Sequence, residues 1–298
     1  MIFPSGTAKK QMACLLLSLL MLCTGSAGLY ARGGHKGWKL AVQSYTFHKF
    51  TLVETLDKVA QLGVRYIEVY PGHRLGGEWG DQVFGPGMDA STQRAVRSLA
   101  ASKGIRIVGT GVFVSDNRED WEQLFRFAHG MKMEYVTCEP PLTMWDEVER
   151  LAEHYKVKVA VHNHPRPSDY WKPQLLLDAI SERSQMVGAC CDVGHWRREG
   201  LDHLQCLRQL KGRVVSLHFK DIEAPREGKE WQEDVIWGRG VLQMPAMLDE
   251  LSAQGFKGYF AIEYETNWDN SVPDIAECIS YFKQLVKEKA GSPRLKKR

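Results

Sequence analysis

From Trp38 onward, short apolar runs rich in Val, Ile, Tyr and Phe alternate with longer stretches whose apolar residues recur at helical spacing. The short runs predict strands over Lys39–Phe47, Val64–Tyr70, Ile105–Phe113, Glu134–Glu139, Lys158–His164, Met186–Asp192, Val214–Asp221 and Tyr259–Glu265. A helical stretch follows each in turn: Leu52–Leu62, Ser91–Lys103, Asp120–Met131, Met144–His154, Pro173–Arg183, Leu201–Leu210, Pro245–Gln254 and Pro273–Lys287. Strand-then-helix repetition predicts a parallel sheet with right-handed crossovers. Eight such units in about 250 residues suit a closed (β/α)8 TIM barrel. An open doubly wound sheet is the alternative, but it usually has a glycine-rich first turn, and Ser44-Tyr45-Thr46-Phe47 offers none. Gly63, Gly104, Gly212 and Gly255 stand just past helical stretches, where a left-handed cap is wanted, and Pro173, Pro245 and Pro273 stand near helix starts. No long linker divides the chain, so 38–290 reads as one barrel domain followed by a basic tail at 291–298.

The first residues follow another pattern. Lys9 and Lys10 precede the apolar run Met12 to Cys23, and small residues Thr24-Gly25-Ser26-Ala27 come next. That order predicts a cleavable signal peptide at 1–27 and a short leader at 28–37. The run is shorter than the roughly 20 residues of a membrane span, with an uncleaved anchor as the alternative. The expectation is an exported protein of a bacterial periplasm with no membrane anchor after cleavage.

Composition narrows the classes. With 44% hydrophobic and 25% charged residues, disordered, collagen-like and coiled-coil chains are excluded. The net charge of +3 includes Lys9, Lys10 and the tail residues Arg294, Lys296, Lys297 and Arg298, which leaves no basic face for nucleic acid. Past the leader, Cys138, Cys190, Cys191, Cys206 and Cys278 form an odd set with no CxxC spacing, so buried thiols are expected rather than a disulfide framework or zinc ribbon.

In a TIM barrel the active site lies at the C-terminal strand ends. Here those ends carry Glu68, Thr137-Cys138-Glu139-Pro140, His162-Asn163-His164, Asp192-Val193-Gly194-His195, His218-Phe219-Lys220-Asp221 and Glu263-Tyr264-Glu265. Alternation puts Thr137 with Glu139, His162 with His164, His218 with Lys220, and Glu263 with Glu265 on shared faces. Carboxylates converging without a cation would be costly. A divalent metal resolves the excess, and N/O ligation without Cys suits Mn2+, Co2+, Zn2+ or Fe2+. The plainer alternative is that each carboxylate faces a loop or pairs with an Arg.

The strings CCDVGHWRREG, RVVSLHFKD, GRGVLQMPAML and GYFAIEYE resemble the last three strands of the xylose isomerase-like TIM barrel superfamily, which includes sugar isomerases and epimerases, inosose dehydratases and apurinic endonucleases. The resemblance covers essentially Trp38 to Lys287. It implies that Asp192, His218 and Glu263 bind one divalent metal ion (Mn2+, Co2+ or Zn2+) and that His195 touches substrate. Related keto-sugar epimerases place a second metal-bound glutamate on the fifth strand. The residue there is His162, and Glu139 of the fourth strand is assigned as the fourth ligand. A histidine facing a carboxylate suits an elimination better than a symmetric epimerisation.

The candidate catalytic groups are therefore His162, His164, Lys220 and Glu263, with Lys220 placed to stabilise an enolate oxygen. His195, Glu68, Arg239 and Trp196 are the candidate substrate contacts. Tyr45, Phe47, Trp145, Trp171, Trp237 and Trp268 offer further ring faces for sugar, and His73 and Trp79 lie in a long loop that suits a lid. Export favours an unphosphorylated small carbohydrate or glycoside. The resemblance implies 3-keto glycosides, with which exported relatives are associated, so the leading expectation is metal-dependent β-elimination on a 3-keto glycoside by an exported protein. The alternatives are isomerisation or epimerisation of a free sugar, or a silent carbohydrate-binding barrel; a homo-oligomer is left open.

Overall fold

Apolar alternation becomes strand where expected. The computed structural model describes residues 37–291, so the signal peptide, nearly all of the leader and the rest of the basic tail lie outside the described residues. Seven strands follow in order: β1 (Lys39–Gln43), β2 (Tyr66–Val69), β3 (Arg106–Phe113), β4 (Tyr135–Cys138), β5 (Lys158–Val161), β6 (Val187–Asp192) and β7 (Val214–Phe219). After a small antiparallel pair, β8 (Asp221–Ile222) and β9 (Asp234–Val235), comes β10 (Tyr259–Ile262). β10 pairs with both β7 and β1, closing a parallel eight-stranded barrel.

The expected helices are α1 (Leu52–Gln61), α2 (Ala90–Ser102), α3 (Arg118–Gly130), α4 (Trp145–Tyr155), α5 (Pro173–Ile180), α7 (His203–Gln209), α8 (Met244–Ala253) and α9 (Val272–Gly291). An unexpected one, α6 (Val193–Arg198), begins where β6 ends. Asp192 closes the strand and caps this helix, its Oδ1 accepting the His195 N–H at 2.7 Å. The segment Val193–Trp196, which continued the sixth strand end in the sequence reading, is therefore helical.

The barrel holds two apolar layers. Outside the sheet, residues such as Leu56 and Val59 of α1 and Trp121, Leu124 and Phe125 of α3 are fully buried; each such side chain contributes about 1.5–3 kcal/mol. Inside, Ala41, Ala160, Ala261 and Cys190 are small enough to admit the rings of Tyr135 and Tyr259, whose centroids lie 5.6 Å apart. Gly109 serves the same end, because a Cβ there would stand 2.6 Å from the Tyr135 ring. All five cysteines past the leader are buried and free.

The long loop after β2 is anchored at its base. His73 is fully buried, with Nδ1 3.1 Å from Ser44 Oγ and Nε2 3.0 Å from the Phe50 carbonyl. Burial pushes its pKa down to about 4. His73 is thus a neutral tether beneath the loop, which corrects its expected place in a lid.

Candidate active site

β5 and β10 stop three residues before their predicted ends and β7 two residues before, and this sets the site. His162 and Glu263 lie immediately past β5 and β10, Asp192 ends β6, and His218 is the penultimate residue of β7. One ligand atom from each of these four buried residues lies within 4.8 Å of all the others.

Each imidazole of the group is backed by a carboxylate. His218 Nε2 lies 3.1 Å from Glu68 Oε1, and Glu68 also accepts from Gln43 Nε2 at 2.9 Å and from the Tyr135 hydroxyl at 2.7 Å. His162 Nδ1 lies 3.1 Å from Glu139 Oε1. With those nitrogens protonated toward carboxylates, the opposite nitrogens carry lone pairs. The opposite nitrogens, His162 Nε2 and His218 Nδ1, are buried and make no directed hydrogen bond, and neither do Asp192 Oδ2 and Glu263 Oε2, whose near neighbours are ion-pair contacts only. Four buried atoms of this kind call for an occupant. Two imidazole nitrogens and two carboxylate oxygens, with a carboxylate behind each imidazole, fit a divalent cation.

Lys220 shares the same oxygens. Its Nζ lies 3.0 Å from Asp192 Oδ2 and 2.7 Å from Glu263 Oε2, while its directed hydrogen bond goes to Glu265 Oε1 at 2.7 Å. The side chain is wholly buried, and its stem passes so close to Gly194 that a Cβ there would stand 2.6 Å from Lys220 Cδ. Burial opposes the charge, yet Asp192, Glu263 and Glu265 hold the lysine pKa well above its ordinary range. Asp192 and Glu263 are held well below the carboxylate range: burial opposes this too, and nearby His195, His218 and Lys220 prevail. For His162, burial is outweighed by the neighbouring carboxylates of Asp192 and Glu139, which raise it to about 9. Without a metal ion, protons and one ammonium therefore balance these carboxylates.

Two more histidines stand toward the mouth. His164 is half-exposed, with Nδ1 2.6 Å from Glu139 Oε1; its backbone N–H donates to the same oxygen at 3.0 Å, and the Ser168 hydroxyl donates to Oε2 at 2.7 Å. His195 Nε2 lies 3.5 Å from Asp192 Oδ2, and burial keeps this imidazole neutral by pushing its pKa well down.

The structure brings His162, His164, Asp192, His195, His218, Lys220 and Glu263 together, and places four other candidates elsewhere. Glu139, expected as the fourth ligand, stands behind His162 and His164, and His162 takes the fourth position. Glu68, expected to touch substrate, is buried behind His218. Trp196 is turned by α6 into the apolar core and is 1% exposed. Arg239 leaves the site altogether: it is solvent-exposed and paired with Glu277 of α9. Phe47, Trp145 and Trp237 are likewise core residues.

Residues missing from the sequence reading complete the mouth. Arg198 Nη2 donates to Asp234 Oδ1 at 2.6 Å and to the Gln232 carbonyl at 2.7 Å, and its guanidinium lies 4.1 Å from the Trp231 ring centroid. Arg198 ends α6 and Asp234 opens β9; they are far apart in the chain, and no periodicity links the two.

Comparison with known proteins agrees with this geometry. A family model described as the xylose isomerase-like TIM barrel matches residues 56–285. The chain is 27% identical over 148 residues to an inosose dehydratase of Lactiplantibacillus plantarum, covering 43% of this chain and 49% of that protein. The matches span about half the length of the curated relatives. Among solved structures, an uncharacterised protein of Parabacteroides distasonis is 32% identical, with a TM-score of 0.69 over 83% of this chain and 99% of that one. The IolI protein with a bound zinc atom has a TM-score of 0.68 at 16% identity, covering 85% of this chain and 100% of that one, a likeness of fold.

Proposed function

Because the chain belongs to the xylose isomerase-like TIM barrel family, we propose that it is a divalent-metal-dependent enzyme acting on a sugar-type substrate, and that its reaction is β-elimination from a 3-keto glycoside. The observation that carries this reading is the asymmetry of the proton-transfer groups. Glu263 is the one glutamate of the four-residue group, and the groups facing it at the mouth are histidines, one of them backed by Glu139. Unlike groups on the two sides suit the removal of a proton at one atom and its delivery at another.

A divalent ion in this cluster supplies Lewis-acid polarisation of the sugar carbonyl. His164, its Nδ1 held by Glu139, offers Nε2 as the base for the C2 proton, and Glu139 stabilises the imidazolium that results; Glu263 is the alternative base. The Lys220 ammonium stabilises the charge that develops on the carbonyl oxygen. His195, kept neutral by burial, has an N–H that can hydrogen-bond the glycosidic oxygen without transferring its proton. The C2–H and C1–O bonds break, a C1–C2 double bond forms, and the aglycone leaves with the proton that the His164 imidazolium hands on, which returns His164 to its neutral form. Inosose dehydratase, by its name, removes water from an inosose; loss of an alcohol from a glycoside is the same class of elimination. The expected export directs the choice to unphosphorylated glycosides in a bacterial periplasm.

The test uses the chain from Gly28 onward, loaded with Mn2+ or Co2+, and a 3-keto glucoside with a chromogenic leaving group in deuterium oxide. Metal-dependent release of the chromophore, lost in His164→Ala and His218→Ala, supports the elimination. Deuterium at C2 of a free sugar with no leaving group lost moves the reading to an isomerase or epimerase. No turnover together with no bound metal overturns it in favour of a silent binder.

A further inference from the structure

One wall of the mouth is a row of rings. His218 and His162 lie at the cluster with centroids 4.9 Å apart; His162 is 5.6 Å from His195, and His195 is 5.9 Å from Trp231. Exposure rises along the row from buried His218 to Trp231, which is 47% exposed. Trp231 is also held still. Its ring rests on the guanidinium of Arg198, a nearly buried side chain pinned by Asp234 and the Gln232 carbonyl. Arg198 covers one face and His195 stands at a tilt beside it, and among the described residues no second cation or ring stacks on the other face.

The rim above β1 and β10 also carries aromatic residues, but they cover one another. His48 stacks on Tyr45 at 4.8 Å, Trp268 meets His48 edge-on at 4.2 Å, and a Lys49–Asp269 ion pair at 2.9 Å staples the two loops together. That rim is packed, whereas Trp231 presents a free, rigid face.

We infer that Trp231 is the stacking platform for the leaving group, and hence that the site is built for a glycoside with a ring-shaped aglycone rather than for a free monosaccharide. Two ring-to-ring steps separate His162 from Trp231, so a group lying on the tryptophan is one unit removed from the sugar held at the cluster. A fixed aromatic face suits a flat ring, since little freedom is lost on contact. The assignment of this group as the leaving group rests on the proposed elimination; the platform itself requires only that a sugar ring sits at the cluster.

The test separates the two. Binding is measured by calorimetry with p-nitrophenyl and methyl β-D-glucosides, which have no carbonyl to react, and turnover with their 3-keto counterparts, all on the metal-loaded protein. The wild type is expected to favour the p-nitrophenyl compound in both assays. Trp231→Ala is expected to lower that preference about tenfold, in Kd and KM rather than kcat, and Trp231→Phe to keep most of it. An unchanged preference in Trp231→Ala, no preference in the wild type, or its loss in Trp268→Ala instead overturns the platform. If the binding preference depends on Trp231 while neither keto glycoside turns over, the platform stands and the elimination falls. If both turn over with a preference indifferent to Trp231, the elimination stands and the platform falls.

Discussion

At the N-terminal mouth of the barrel, Glu134 meets Lys39 and Arg106 in partial contact with water, and the rings of Tyr66, Tyr135 and Tyr259 close the interior behind them. At the C-terminal mouth, Asp192, Glu263 and Glu265 crowd around Lys220, whose side chain has no contact with water. The chemistry of the charges is alike and their solvation is opposite. Half-exposed pairs cost little to form and contribute little. Buried charges with unpartnered atoms cost several kcal/mol, and a fold retains them where they bind or react with something. One end of the barrel is thus arranged for stability and the other for chemistry, as the family architecture leads one to expect.

The contrast can be broken most severely at the cluster. Asp192→Asn removes a cluster oxygen's charge and is expected to weaken metal binding by more than about a hundredfold, the upper range for changes behind the ligands. Metal titration followed by calorimetry reads this, with circular dichroism showing the fold intact. At the other end, Tyr259→Ala is expected to lower stability by roughly 3 kcal/mol through the cavity it leaves, with metal affinity unchanged; urea unfolding with and without metal separates these effects. His73 gives the contrast a pH dependence. Its folded pKa, lowered to about 4 from the ordinary 6.5, means that its stabilising effect is complete above pH 6.5 and is lost as pH falls toward 4. That amounts to about 3 kcal/mol at most. Unfolding midpoints between pH 7 and 4 should fall for the wild type and flatten in His73→Gln.

Smaller effects sharpen the comparison. Glu139→Gln keeps the shape behind His162 and His164 but loses the charge, and a 10–100-fold loss of metal affinity is expected at roughly wild-type stability. An equal affinity would return Glu139 to a purely structural part. Glu134→Gln, on the half-exposed network, is expected to shift stability by less than about 1 kcal/mol, and less still at high salt.

Much of this was legible in the chain because a barrel is periodic. All eight strand and helix pairs follow the alternation of apolar runs, with caps at Gly63, Gly104, Gly212 and Gly255 in positive φ. The strand ends were less legible, since polar alternation runs on past the last ladder hydrogen bond. α6 was missed because Val193 and Trp196 read equally well as strand, and six residues are too few to show a helical period. The metal-facing residues stood out because His, Asp and Glu at successive strand ends are costly without a shared partner. Their order of contact was hidden. Glu139 and His162 lie at equivalent strand ends, and only the path of the chain after Val161 puts the imidazole inward and the carboxylate behind it. Trp231 and Ser168 belong to loops and Arg198 ends the short α6, and no period links these distant positions.

Gly194 and Lys220 behave as a single unit of inheritance. The lysine stem occupies the volume that a methyl group at position 194 would fill. A chain that acquires a larger residue there must give up the buried ammonium or move α6, and a chain that loses the lysine no longer needs the glycine. Whether a relative keeps a cation of its own beside the metal position can thus be judged from one small residue two places after the β6 aspartate.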